Sequence, residues 1–530
     1  LRAAGLAAAG GALALGAPAR AGQGMKASGP AGLPQRPNLL FIVTDQERAP
    51  QHWAGLDLAA LLPARQKLLN DGLNFTRFYC NSSMCSPSRA TLLTGLYPAQ
   101  HGLTHTLTYN ETDLSDTEVP LDPSVPNMAR LLESAGYYVA LKGKWHLSKN
   151  AAGNPPDEND VKKFGFLDWE PTTAGEATDV DSFGGGCAHE DTKIVDAAVA
   201  WLGRADLPQP FALFVMLANP HDVLAYPRLM DQEPCTDLCY ANTADWTMGV
   251  NLPPSFGEDL SANGKPKVQE ASLGLYNLAL GSLDNIVQRR EYVNFYAYLH
   301  TVVDGQIDRL LNAIQAWDNT KRPVIIRTVD HGEMGLSHGG LRQKMFNAYE
   351  ETMHLPLIIS HPDLACKGQS TAALASLVDL LPTVASLADA PNKAAWPHKG
   401  VDLSPLLTDP SGSVQDTLLF TFDDCRAGTG YNPDFLTQEA MAHHIHCIVH
   451  SGAGGNWKFA RYFNPPEESA AAEEFEMYDL DDLDDYEQTN LAADPAQADK
   501  RAELAALLAQ VEAERLDPLY LRTHLPAVLR

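Results

Sequence analysis

The sequence predicts an α/β fold, a large and mostly parallel β-sheet sandwiched by helices, with a smaller α+β domain at the C-terminal end. Three observations predict it. Short apolar runs ending in polar residues alternate with amphipathic stretches of helical period. At 530 residues the chain exceeds the size at which one hydrophobic core stops growing. After about residue 400 the alternation gives way to short strand-like pieces and one long Ala/Leu/Glu-rich stretch.

In chain order, Asn38 to Asp45 reads as a buried strand whose carboxyl end carries Asp45. A helical pattern runs from Asp57 to Leu69, with Gly72 placed as its C-cap. Met128 to Ser134 reads as helix, and Tyr137 to Leu141 as the next strand. Phe211 to Leu217 is an apolar strand that delivers Asn219-Pro220-His221. An amphipathic helix from Tyr292 to Trp317 leads into the strand Pro323 to Val329, which delivers Asp330-His331-Gly332. Leu355 to Ser360 makes one more strand and Leu377 to Leu387 a helix. Beyond these, Thr417 to Phe422, His446 to His450 and Trp457 to Tyr462 read as strands, and Ala496 to Leu516 as helix. In a sheet covered on both faces, ligands bind beyond the carboxyl ends of the strands. Asp45, Lys144, His221, Asp330 and His331 all sit at or just after such ends, so they are expected to converge on one edge. The expected division is a leader over 1–24, a domain carrying the chemistry over 36–400 and the α+β unit over 401–530.

The formal net charge of -27 excludes nucleic acid as a partner, since that binding rests on phosphate neutralisation by Lys and Arg. An anionic substrate would need a local cluster of cations. Leu1 to Ala17 is almost all Ala, Gly and Leu, followed by Pro18 and Ala19-Arg20-Ala21, which reads as a signal peptide. Its first residues resemble the stretch just after the paired arginines of a bacterial twin-arginine signal. The expectation is an exported bacterial protein, periplasmic or secreted, with no membrane span in the mature chain. Eight cysteines are too dilute for a disulfide scaffold, and Cys235 with Cys239 reads as a disulfide or two unrelated thiols.

Cys85-Ser86-Pro87-Ser88-Arg89 through Thr94-Gly95 resembles the sulfatase signature C-x-P-S-R-x-x-x-x-T-G at every defined position. The structural alternative is a buried cysteine before a helix with Pro87 at its first position. The resemblance implies the alkaline-phosphatase-like fold and a formylglycine made from Cys85 by a separate maturation enzyme that reads C-x-P-x-R. The hydrated aldehyde carries two hydroxyls on one carbon. One attacks sulfur and releases the alcohol, and deprotonation of the other expels sulfate.

Further motifs carry the same resemblance. Asp45-Gln46 and Asp330-His331, with the oxygen derived from Cys85, are the implied ligands of one divalent metal, Ca²⁺ first, with Mn²⁺ or Mg²⁺ as alternatives. Gln46 and His331 stand where many sulfatases carry Asp and Asn, and the combination looks more like choline sulfatases and phosphonate monoester hydrolases. Gly143-Lys144-Trp145-His146-Leu147 implies that Lys144 binds sulfate and His146 contacts the hydroxyl to be deprotonated. His221 is the implied acid for the leaving alkoxide, and Lys344 a second sulfate-binding lysine. Arg89, Lys144 and Lys344 together make the positive cluster, and His338 is a further candidate for contacting the anion. Among His443, His444, His446 and His450, one or two are expected to face the substrate at the rim of the site rather than to form a zinc site. The expected activity is hydrolysis of a sulfate monoester, of the arylsulfatase or choline-sulfatase kind. The alternatives are a phosphonate monoester or phosphodiester hydrolase and a non-catalytic exported binding protein.

Overall fold

The computed structural model describes residues 30–49, 53, 56–109, 118–176, 180–186, 188–230, 240, 243–424, 441–466 and 471–517. The expected leader and the Cys235/Cys239 pair lie outside them. The main sheet is built from β1 (Leu39–Asp45), β2 (Gly72–Tyr79), β3 (Tyr138–Gly143), β4 (Phe211–Pro220), β5 (Val324–Val329), β6 (His354–Ser360), β7 (Gln369–Thr371) and β8 (Ala375–Ser376). Its order is β3-β4-β1-β5-β6-β2-β7, with β8 also on β2.

Alternation along each strand explains why the sheet must be covered on both sides. Leu39, Phe41 and Val43 of β1 share one core with Ala212, Phe214 and Met216 of β4 and with Val324 and Ile326 of β5. The Phe41 and Phe214 rings stack there at 4.0 Å. Leu40 and Ile42 turn the other way, with Leu213, Val215 and Ile325. Helices Cys85–Thr94, Met128–Ser134 and Leu380–Leu387 supply residues to the first core. Helices Pro63–Asn70, Glu190–Leu202 and Ile286–Ile314 supply the second.

β3, β4, β1 and β5 run parallel, but β6 runs antiparallel to β5. The segment between β5 and β6 contains only the four-residue helices Ser337–Gly340 and Glu350–Met353, too little to carry the chain back across the sheet. The whole 330–353 segment therefore stays at the carboxyl edge, where Asp330, His331 and Lys344 are needed. The helix expected over Asp57 to Leu69 divides into Leu58–Leu61 and Pro63–Asn70, because Pro63 begins a helix readily but cannot continue one. Gly72 is no cap and instead opens β2. Asn285 caps the long helix, which starts ahead of the expected Tyr292.

A second, antiparallel sheet has the order β12-β11-β10-β9, with β9 (Thr417–Phe422), β10 (His444–Gly452), β11 (Gly455–Phe463) and β12 (Glu474–Asp479). Ile445, Cys447 and Val449 of β10 join the first main core. Ile448 faces the other way, with Leu504, Leu508 and Val511 of helix Ala498–Arg515. The four C-terminal histidines are separately engaged: His443 with the Met441 carbonyl, His444 with Asp423, His446 with Glu512 and His450 with Thr417. No helix among the described residues is long and apolar enough to cross a membrane.

Gly143 ends β3 at a φ of +100°, and a Cβ there would stand 2.0 Å from the Met216 carbonyl oxygen of β4. Gly143→Ala is therefore expected to destabilise the fold by about 3 kcal/mol or more, read from denaturant unfolding. A wild-type midpoint would contradict this close approach.

Candidate active site

Four neighbouring strands deliver the chemistry to one edge. β1 ends in Asp45, followed by Gln46 at a φ of +64°. β5 is followed by Asp330 and His331, β3 by Lys144 and His146, and β4 by His221. Asp45, Gln46, Lys144, Asp330 and His331 are shut off from solvent, with His146 and His221 nearly so.

Helix Cys85–Thr94 points its N-terminus at this edge, and every residue in it is buried. The helix begins at Cys85 itself, so Pro87 is its third residue rather than its first; a missing N–H costs nothing in that first turn. Arg89 lies one turn on, on the same face as Cys85. Its Nη2 meets Asp45 Oδ2 at 2.9 Å and its Nε meets Asp330 Oδ2 at 2.8 Å. Ser88 Oγ donates to the Asp330 carbonyl at 2.5 Å. Gly95, left-handed at a φ of +64°, stops the helix and returns its N–H to Thr91.

Arg89 and Lys144 occupy the outer oxygens, while Asp330 Oδ1 accepts from the backbone N–H groups of Gln46 and His331 and Asp45 Oδ1 faces Cys85. Cys85 Sγ is 3.2 Å from His331 Nε2 and 3.7 Å from Asp45 Oδ1. His331 Nε2 is 3.8 Å from Asp45 Oδ1 and from Asp330 Oδ1. Donor atoms of Asp45, Cys85, Asp330 and His331 all lie within 4.8 Å of one another. His331 Nδ1 donates to the Gly332 carbonyl at 3.1 Å, which leaves the Nε2 lone pair facing the cluster. This set of carboxylate oxygens and one imidazole nitrogen fits a divalent cation.

The charges act on one another. Burial pushes Asp45 up, but Lys144, His221 and Arg89 together hold it below the ordinary carboxylate range. Burial and the neighbouring Asp45 charge raise Asp330 to about 6. Burial also opposes ionisation of Cys85, yet Lys144, Lys344 and His331 bring its thiol well below the usual value. The site thus favours negative charge at this position, as an anionic substrate requires. Burial lowers His221, partly offset by Asp45 and by a hydrogen bond with the Cys85 sulfur.

Lys144 Nζ reaches Asp45 Oδ2 at 2.6 Å and the Gly175 carbonyl at 2.5 Å. Lys344 Nζ reaches Gln46 Oε1 at 2.8 Å. His146 Nε2 donates to the Leu107 carbonyl at 2.8 Å, so its Nδ1 keeps a lone pair. That ring also helps to lower the pKa of the Cys85 thiol. Residues from six separate stretches therefore surround Cys85.

His338 does not join them. Its ring is fully buried, its Nδ1 donates to Glu258 at 2.7 Å, and Glu351 lies 3.6 Å from its Nε2. Carboxylates on both sides make the wrong surroundings for an anion, so its expected contact with substrate is corrected. Glu333 is the residue that sequence reasoning left without a role. Its Oε2 accepts from Gln46 Nε2 at 2.5 Å, while its Oε1 accepts from the Tyr292 hydroxyl at 2.8 Å and from the amides of Gln343 and Gly335. The carboxylate fixes which end of the Gln46 amide is oxygen, and turns that oxygen to Lys344. Glu333→Gln is expected to leave the fold intact and lower kcat/KM by about 10- to 100-fold, with weaker metal activation. Steady-state kinetics over a metal titration checks this, and unchanged parameters would remove the role assigned to Glu333.

The comparisons with known proteins agree with this geometry. The family model described as Sulfatase matches residues 37–390. The chain is 25% identical over 468 residues to arylsulfatase K of Gallus gallus, covering 86% of this chain and 79% of that protein. It is 22% identical over 542 residues to N-acetylglucosamine-6-O-sulfatase of Bacteroides thetaiotaomicron, covering 91% and 87%. A solved 2-O GAG sulfatase shares the fold with a TM-score of 0.66 at 20% identity, over 91% of this chain and 93% of the other. So does the phosphonate monoester hydrolase of Agrobacterium radiobacter, with a TM-score of 0.66 at 23% identity over 92% and 97%. The chain belongs to the sulfatase family, whose sulfatases are sulfuric ester hydrolases.

Proposed function

We propose that the protein hydrolyses a sulfate monoester through a formylglycine made from Cys85, with one divalent ion held by Asp45, Gln46, Asp330, His331 and the oxygen derived from Cys85. The observation that carries this reading is the position of the Cys85 side chain. It stands at a buried helix N-terminus, within 3.2 Å of His331 Nε2, and Lys144, Lys344 and His331 all act on its charge. Ca²⁺ is the first choice of ion, with Mn²⁺ or Mg²⁺ as alternatives. When bound, the ion lowers the pKa of a hydroxyl on residue 85 and withdraws charge from a sulfate oxygen.

The chain's own groups account for the remaining steps. Lys144 and Lys344 neutralise the sulfate oxygens, and Arg89 holds Asp45 and Asp330 in place. One hydroxyl of the hydrated aldehyde gives its proton to solvent and attacks sulfur as the oxyanion, the S–O bond to the alcohol breaks, and His221, protonated from solvent, gives the departing alkoxide a proton. His146 then takes the proton of the second hydroxyl at Nδ1, the C–O bond to sulfate breaks and the aldehyde returns. Water restores the hydrate. His146 is oriented for this by the Leu107 carbonyl at Nε2 and by Glu176, which accepts from its backbone N–H at 2.7 Å.

A maturation enzyme that reads Cys85-x-Pro87-x-Arg89 is the implied partner. Export would then place the mature protein in the periplasm or outside the cell. The second reading, a phosphonate monoester or phosphodiester hydrolase, is favoured by Gln46, whose neutral amide takes one negative charge out of the site. The test is the rate on nitrophenyl sulfate against that on a nitrophenyl phosphonate ester. The sulfate is expected to react faster, and the reverse order would overturn the first reading in favour of the second. Cys85→Ala is expected to lower kcat by about 10⁴-fold or more, whereas a binding protein would keep its function. Removing divalent ions with a chelator should abolish turnover, and re-adding Ca²⁺, Mn²⁺ or Mg²⁺ singly identifies the ion by which restores it.

A further inference from the structure

Away from Cys85, the segment between β5 and β6 carries a second group of buried donors. His338, Glu351 and Glu487 each offer one ligand atom, and the three atoms lie within 4.8 Å of one another. They come from distant parts of the chain. His338 lies in the turn Ser337–Gly340, Glu351 in the helix Glu350–Met353, and Glu487 follows β12 of the second sheet.

The imidazole is set up as a ligand. Its Nδ1 donates to Glu258 Oε2 at 2.7 Å, and its ring stacks on Tyr349 with centroids 3.6 Å apart. Glu258 thus holds a proton at Nδ1 and turns Nε2 toward Glu351. That atom is buried and has no hydrogen-bond partner, yet Glu351 Oε2 lies 3.6 Å away. Burial opposes charge on the ring, but Glu258 and Glu351 both favour a proton there and raise its pKa, and a divalent ion at Nε2 would take that proton's place. Bare of its proton, Nε2 would face the Glu351 carboxylate across a gap that a cation can bridge.

The surrounding charges leave room for that cation. Glu258 pairs with Lys265, Glu350 with Lys458 and His354, and Glu487 with Lys458, while Glu476 accepts from tyrosine hydroxyls and Arg48 acts on Glu351. Lys458 is placed between Glu350 and Glu487, and Lys265 between Glu258, the Tyr478 hydroxyl and the Glu487 carbonyl. Glu487 Oε1 meets Lys458 and its Oε2 accepts from the Glu350 amide, but each oxygen has a second lone pair.

We propose that His338, Glu351 and Glu487 bind a second divalent cation, of the kind that takes imidazole nitrogen with carboxylate oxygen, such as Zn²⁺ or Mn²⁺. Glu258 orients the ring for it, as a carboxylate does for many metal-bound histidines. The ion joins the stretch that carries Lys344 to the turn after β12, and so ties the second sheet to the candidate active site. Its role is structural, and it does not depend on which ester the protein hydrolyses.

The test uses the full chain, stripped with a chelator and titrated with Zn²⁺ alone and with Mn²⁺ alone, with bound metal counted per chain. Two ions are expected in the wild type and one in the Asp45→Asn/Asp330→Asn variant, which disables the site at Cys85. Adding Glu487→Gln should remove that last ion and abolish the metal-dependent rise in melting temperature. A wild type that takes up a single ion overturns the proposal. So does a folded Asp45→Asn/Asp330→Asn variant that binds none, or a triple variant that still binds one. Should the triple variant fail to fold, the first two counts decide.

Discussion

A guanidinium closed off from water holds this site together. Arg89 joins Asp45 at the end of β1 to Asp330 at the end of β5, with all three side chains at most 2% exposed. Burying one cation between two carboxylates is worthwhile only when every charge has a partner, and here each does. Loss of the guanidinium would leave the buried Asp330 without its cation and Asp45 with Lys144 alone, and breaking such a buried pair typically costs about 3–5 kcal/mol. The same contacts settle the local chemistry. They occupy the outer oxygens of both carboxylates and leave the inner ones facing Cys85 and His331.

The spacing of the cysteine motif reflects this arrangement. Cys85 begins a helix and Arg89 lies one turn on, so both reach the same strand ends. Ser88 fastens that turn to the Asp330 carbonyl, and Gly95 stops the helix. A chain of net charge -27 thereby concentrates Arg89, Lys144 and Lys344 around one buried position. Local placement outweighs the repulsion of a distant surface, because charges beyond about 10 Å in solvent are largely screened.

Much of this was legible in the sequence because it rests on local signals. Apolar runs with polar ends located β1, β4 and β5, and their last residues gave Asp45, His221 and Asp330. β2 escaped notice because Asn74, Thr76 and Arg77 interrupt its apolar residues. The antiparallel course of β6 depends on the lack of a long crossover helix, which periodicity does not reveal. The tie between Gln46 and Glu333 joins residues 287 positions apart, and no local pattern signals it. An amide standing where a carboxylate was expected was the available clue, since something must hold such an amide in one orientation. His338 was misread for the same reason: the Glu258 and Glu487 beside it lie far away in sequence.

The chemistry depends on what Cys85 becomes. The most direct measurement is the mass of the peptide spanning Cys85 from protein produced together with a maturation enzyme. The predicted result is an aldehyde at this position, reactive toward a hydrazide, in the active enzyme. A fully active protein with an unmodified thiol at Cys85 would contradict it.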